Sequence, residues 1–244
     1  MHQVRAGTRG GHTLVFFPPA GSSASSGWPV AAAVAADWAV WSVQYPARGP
    51  RLGEPPAGSI REQALACLAP VLAASERPLL FGHSFGAYLA YDVAQLLERQ
   101  GVGVTGLLVS GISAPGTLTD IAEDRLSDES LMKMMFQQSG TPNELLANEE
   151  LMAMVLPAMR ADLALGRSYV DDHGRRLAAP LLAMGGRTDT MTAPERLRTW
   201  HAVTDRFLGV EIVEGDHFYY LDDPAMVANL LEAHWPARER MVQS

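Results

Sequence analysis

Cysteine is nearly absent: Cys67 is the single one among 244 residues, so an intrachain disulfide is impossible. It sits in the apolar helical pattern "REQALACLAPVLAA", where a small buried thiol is expected rather than a reactive one. No apolar run approaches the roughly 20 residues that cross a bilayer. The opening "MHQVRAGTRGGHTLVFF" lacks the apolar core of a signal peptide, so a cytoplasmic location is expected. Basic residues are outnumbered, 19 against 27 acidic, for a net charge of −8 without a basic cluster. That balance argues against nucleic acid as a partner. There is no internal repeat, and "AGSSASSG" (20–27) is the one low-complexity tract, read as a loop. What is present is ample apolar material: 48% of residues are hydrophobic, enough to bury a core of good size.

That apolar material is arranged in short runs bounded by turn signals. "TLVFF" (13–17), "AVWSVQY" (39–45), "PLLFG" (78–82), "GLLVSG" (106–111), "PLLAMGG" (180–186) and "VEIVEG" (210–215) read as strands. They lack strict polar alternation, which suits a sheet covered on both faces. Helical spacing appears at about 60–75, 85–99, 193–206 and 223–235, with Pro194 and Pro224 where helices begin. This alternation predicts an α/β class, with a mostly parallel central sheet and helices on both faces. Residues 120–170 break it. Their spacing predicts helices over Asp124–Gln138, about 143–156 and 158–170, interrupted at Pro142 and Pro157. Six of the eleven methionines lie here. Methionine fills irregular cores, and it also suits a pliable lid over an apolar ligand. The expectation is one domain, 1–244, with a helical lid insertion at about 120–170.

The stretch "LLFGHSFGAYLAYDVAQLL" places Ser84 between Gly82 and Gly86, where a buried strand becomes a helix. A serine at such a turn takes strained backbone angles and lifts its hydroxyl clear of the sheet. The helix N-terminus offers backbone N–H groups to a developing oxyanion. A hydroxyl needs a base to become a nucleophile. Of seven histidines, His217 in "VEIVEGDHFYYLDDP" lies in a loop at the C-terminal end of a strand, where such sheets gather ligand groups. His83, inside the turn, is expected to point away from Ser84. The orienting acid is expected after the preceding strand, which selects Asp189 in "LLAMGGRTDTMTAP". Asp216 adjoins His217 and is badly placed for its ring, Asp92 lies inside the helix after Ser84, and Asp120 lies far downstream of "GLLVSG".

With these residues placed, the chain resembles the type II thioesterases of polyketide and nonribosomal peptide pathways, stand-alone α/β-hydrolases. The resemblance runs from about Leu14 to Trp235. Its stretches are "FFPPAGSSAS", "VQYPARGPRLGEPP", "LLFGHSFGAYLAYDVA", "LLVSGISAP", "LAMGGRTDTM" and "EGDHFYYLDDP". It implies Ser84 as nucleophile, Asp189 as acid and His217 as base. It also implies, as substrate and partner, an acyl or peptidyl carrier protein bearing an acyl-phosphopantetheine arm. No metal or cofactor is implied. The expected role is removal of aberrant acyl groups from a stalled synthase. A carboxylesterase or acyl-CoA thioesterase with the same residues is the alternative, and a catalytically weak carrier-binding protein is a third. The chain departs from the family's usual "FPHAGG", with Pro19 and Ser22 in the altered positions. Pro19 has no N–H, which leaves Ala20 ahead of Gly21 as the oxyanion donor of that loop, beside the Phe85 N–H. Ala47 stands where the family commonly has glycine. Arg48 and Arg51 carry two equal readings: contacts to the pantetheine phosphate or an acidic carrier, and structural ion pairs.

Overall fold

The computed structural model describes residues 1–8, 11–117, 127–137 and 148–236. Seven strands form one sheet: β1 (His2–Arg5), β2 (Thr13–Phe17), β3 (Ala39–Ser42), β4 (Leu79–His83), β5 (Gly106–Ser110), β6 (Leu181–Gly186) and β7 (Phe207–Val213). Their spatial order is β1-β3-β2-β4-β5-β6-β7. Every neighbouring pair is parallel except β1 with β3. The helices are α1 (Trp28–Ala33), α2 (Ile60–Ala74), α3 (Phe85–Arg99), α4 (Asp128–Gln137), α5 (Glu149–Ser168), α6 (Tyr219–Asp222) and α7 (Pro224–His234). A 3-10 segment, Pro194–Val203, fills the predicted helical stretch between β6 and β7.

The strands bury both faces, and their apolar runs follow from that. In β2, Val15 and Phe17 join the core under α2 and α3, while Leu14 and Phe16 join the opposite core under α1 and α7. β4 and β6 divide the same way, Leu80 and Ala183 against Leu79, Phe81, Leu182 and Met184. Alternation therefore exists but pairs apolar with apolar, the mark of a sandwiched parallel sheet. Cys67 lies in the α2–α3 core, and burial pushes its thiol up to about 11.

Three sequence expectations change. β1 is polar and partly exposed at an antiparallel edge, so no apolar run announces it. The tract 20–27 contains a 3-10 turn, Ala24–Gly27. Pro157 does not divide two helices: α5 runs unbroken from Glu149 to Ser168. Proline lacks the N–H that would bond the carbonyl four residues back. Pro157 and Ala153 both lie on the exposed face, where that carbonyl is open to solvent. The rest of the predicted insertion, including Asp120, Asp124 and Pro142, lies outside the described residues.

The C-terminal end of α5 is fastened to α3 by a buried carboxylate. Asp92 is fully buried and accepts from Arg61 Nε at 2.7 Å, Tyr169 Oη at 2.7 Å and His173 Nε2 at 2.8 Å. Burial opposes its ionisation, but the bonds from His173, Arg61 and Tyr169 outweigh it and hold the carboxyl below the usual carboxylate range. Removing one partner of such a cluster leaves the others buried and unsatisfied. Asp92→Ala is expected to destabilise the fold by about 3–5 kcal/mol, read from the urea midpoint.

Candidate active site

The turn between β4 and α3 is built by two close backbone approaches. A Cβ on Gly82 would lie 2.3 Å from the Gly86 carbonyl oxygen. A Cβ on Gly86 would lie 2.0 Å from the Phe17 oxygen and 2.5 Å from the Pro18 oxygen. Neither site holds a side chain without moving backbone. Between them Ser84 takes φ 53°, ψ −124°, a left-handed conformation rare for any residue but glycine. Its N–H donates to the Ser110 carbonyl at 2.7 Å, and α3 begins at the next residue, Phe85. Ser84 thus sits at the positive end of a fifteen-residue helix.

Asp189 and His217 come together from the ends of β6 and β7. Asp189 Oδ2 and His217 Nδ1 are 2.8 Å apart, and both side chains are buried. The other carboxylate oxygen accepts the N–H groups of Met191 (2.7 Å) and Thr192 (3.0 Å), which fixes its rotamer. Gly186 allows the two loops to pack, since a Cβ there would lie 2.2 Å from the Asp216 oxygen. Asp216 instead accepts the Phe218 N–H at 2.8 Å. The other acid candidate among the described residues, Asp92, belongs to the α3–α5 cluster described above.

Ser84 and His217 line one cavity of about 330 Å³, within the range of small-ligand sites. Pro19, Ala20 and Gly21 form part of its rim. Met134 and Met135 of α4 and Val155, Met159 and Leu163 of α5 form an apolar wall. Met191, Phe218 and Leu221 also line the cavity. The Gly21 N–H is taken by Asp162 Oδ2 at 2.9 Å and the Ser22 N–H by the Pro19 carbonyl at 3.1 Å, and Ala20 lies between them among the cavity's lining residues.

The sequence left the partners of two groups open, His83 and Arg48. His83 lies beneath the turn, fully buried, with its Nδ1 2.7 Å from Ser110 Oγ, which in turn bonds the Tyr219 hydroxyl. It does turn from the cavity, yet its ring centroid is 4.8 Å from that of His217. Burial, and secondarily the nearness of His217, pushes its pKa well below the ordinary histidine value. Arg48 forms a bidentate pair with Asp162 of α5, both buried, and Arg51 pairs with Glu54. Of the two readings of these arginines, the structural ion pair is the one seen. Asp162 gave one signal, a lone acid between Met159 and Leu163 on an otherwise apolar face.

The depressed pKa of His83 makes a stability prediction. As pH falls through about 6.5 the unfolded chain takes up a proton at His83 and the folded chain does not. The histidine's contribution is therefore complete above that pH and is lost below it. Between pH 7.5 and 5.5 the wild type should lose more stability than His83→Asn, which retains a polar atom for Ser110. Chemical denaturation across that range measures the difference.

Comparison with known proteins gives consistent relatives. The family model described as thioesterase domain matches residues 12–234. The probable cadicidin biosynthesis thioesterase of Streptomyces griseus is 35% identical over 207 residues, covering 84% of this chain and 57% of that protein. This chain therefore spans little more than half of that relative's length. Thioesterase PikA5 of Streptomyces venezuelae is 33% identical over 228 residues, covering 91% of this chain and 80% of that one. Among solved structures, the type II thioesterase BorB from the borrelidin biosynthetic cluster superposes with a TM-score of 0.86 at 34% identity, covering 96% of each chain.

Proposed function

The chain belongs to the thioesterase domain family, and from that premise we propose that it works as a type II thioesterase, clearing acyl groups from the phosphopantetheine arm of carrier proteins. The observation that carries the proposal is a strained Ser84 at the head of α3, sharing one methionine-lined cavity with a His217 that is hydrogen-bonded to Asp189.

In this reading Asp189 holds His217 with Nδ1–H toward the carboxylate, leaving Nε2 free to accept the Ser84 proton. The Ser84 oxygen forms a bond to the thioester carbonyl carbon, and its proton passes to His217. The tetrahedral oxyanion receives the N–H groups of Phe85 and Ala20. Collapse breaks the carbon–sulfur bond, and His217 returns the proton to the departing pantetheine thiol. Water then gives its proton to His217 and its oxygen to the acyl carbon, releasing a carboxylic acid and restoring Ser84. The cycle uses one water and needs no redox partner.

The apolar wall from α4 and α5 supports the lid reading of that segment. Methionines adapt to acyl chains of differing shape, and their cover keeps bulk water from the acyl-enzyme. No helix among the described residues is long and apolar enough to cross a membrane. The proposed location, beside a cytoplasmic synthase, follows from the carrier reading.

The test is intact-mass analysis of a carrier protein loaded with a short acyl group, incubated with wild type or Ser84→Ala. Wild type should deacylate the carrier, acyl-CoA should be spared, and Ser84→Ala should fall below about one thousandth of the wild-type rate. Faster cleavage of acyl-CoA or of a simple oxygen ester would replace the carrier reading with a general hydrolase. A wild type that binds the loaded carrier but leaves its acyl group intact would point to a binding protein. The same assay with His217→Ala should show a loss of similar size, because residues acting as one unit are not additive.

A further inference from the structure

Asp162 sits in the C-terminal half of α5, between two residues that line the cavity, and is almost fully buried. Its Oδ2 accepts the Gly21 N–H at 2.9 Å and Arg48 Nη1 at 2.5 Å, and its Oδ1 accepts Arg48 Nη2 at 2.9 Å. Arg48 also donates to the carbonyls of Pro46 (3.0 Å) and Ser22 (3.5 Å). Its guanidinium lies 5.3 Å from the centre of the Tyr45 ring, and the Tyr45 hydroxyl donates to the Pro18 carbonyl at 3.0 Å. The loop from Pro18 to Ser22 is therefore held at Pro18, at Gly21 and at Ser22, with Ala20 carried between. It also rests on α5: Gly21 has φ +74°, and a Cβ there would lie 2.9 Å from Met159 Cβ.

A buried ion pair is a weak device for stability, because desolvation offsets most of the attraction. Its place between a cavity-wall helix and the loop that offers Ala20 calls for another role. The geometry points to Asp162 as a positioning residue for the reaction: it accepts the Gly21 N–H and thereby aims the Ala20 N–H at the developing oxyanion. This inference rests on the serine-hydrolase reading above. Since Asp162 belongs to α5, the oxyanion donor is in place only while α5 covers the cavity. Displacing the helix strips Gly21 of its acceptor, and Pro19 has no N–H to take over. Cover of the acyl chain and assembly of the oxyanion site are then one event, as in enzymes whose closure completes the catalytic constellation.

Two double variants separate positioning from packing. In both, Arg48→Met removes the cation, so neither leaves a buried charge unpaired. Asp162→Asn keeps an acceptor for Gly21, whereas Asp162→Leu does not. The probe substrate is p-nitrophenyl butyrate, which requires the serine and the oxyanion site but no carrier, so failure of the carrier reading leaves this readout intact. Loss of a donor outright costs about a hundred- to a thousandfold in rate, and a misaimed donor less. The Asp162→Leu double should lose about ten- to a hundredfold in kcat with KM within about twofold, and the Asp162→Asn double should retain kcat within about threefold. Equal kcat in the two doubles, or a loss confined to KM, would overturn the inference. Residue-resolved hydrogen exchange on the unmodified protein reads the anchor directly, whether or not the doubles fold. The Gly21 amide should exchange slowly, and more slowly still when a trifluoromethyl ketone forms its hemiketal with Ser84. Exchange of Gly21 at the rate of a free amide would refute it.

Discussion

The site depends on the contact of the Gly86 backbone with the end of β2. A hypothetical Cβ on Gly86 would lie 2.0 Å from the Phe17 oxygen and 2.5 Å from the Pro18 oxygen, so α3 starts pressed against the chain as it leaves the sheet. Two consequences follow from one approach. The strand-to-helix turn has no room to relax, which holds Ser84 at φ 53°. The loop after Phe17 begins beside the N-terminus of α3, so the Phe85 and Ala20 backbones come from two elements that cannot drift apart. Glycine at 82 and 86 is thus a steric requirement of the site and not a matter of flexibility.

Much of this was readable in the sequence because the determining forces are local or periodic. Buried parallel strands must be apolar on both faces, so the runs 13–17, 78–82, 106–111 and 180–186 marked themselves. Ser84 stood out by the glycines two before and two after it, Asp189 by following the strand before that of His217, and His217 by its loop at a strand's C-terminal end. The pairing of Asp189 with His217 rather than with a nearer histidine such as His201 follows from β6 and β7 being neighbours in register, with Gly186 opposite Val213.

What escaped the sequence was what proximity alone decides. β1 gains its place from backbone pairing with β3, which leaves no hydrophobic trace. Pro157 looked like a boundary, but a helix tolerates proline where the orphaned carbonyl faces water, and exposure is a tertiary fact. His83 reads as filler within Gly82–Gly86. Its contact with His217 and its link through Ser110 to Tyr219 span 134 and 136 residues respectively, by the numbering of the partners. The Arg48–Asp162 pair, 114 residues apart, was invisible for the same reason.

That pair bears on the departure at Pro19. Against the "FPHAGG" pattern of the family it resembles, this chain has Pro19 and Ser22. Proline removes one N–H and narrows φ, so the loop has fewer ways to present a donor and fewer ways to go wrong. Gly21, left free, would be the adaptable point, since its φ of +74° costs glycine nothing. Asp162 takes up that freedom by engaging its N–H from α5. The chain thus combines a stiffened loop with an external acceptor. On the proposed reading, the aim of the Ala20 N–H is set by α5 through Asp162 rather than by the loop's own sequence. A change in α5 is then felt at the carbonyl, although no side chain of α5 needs to touch it.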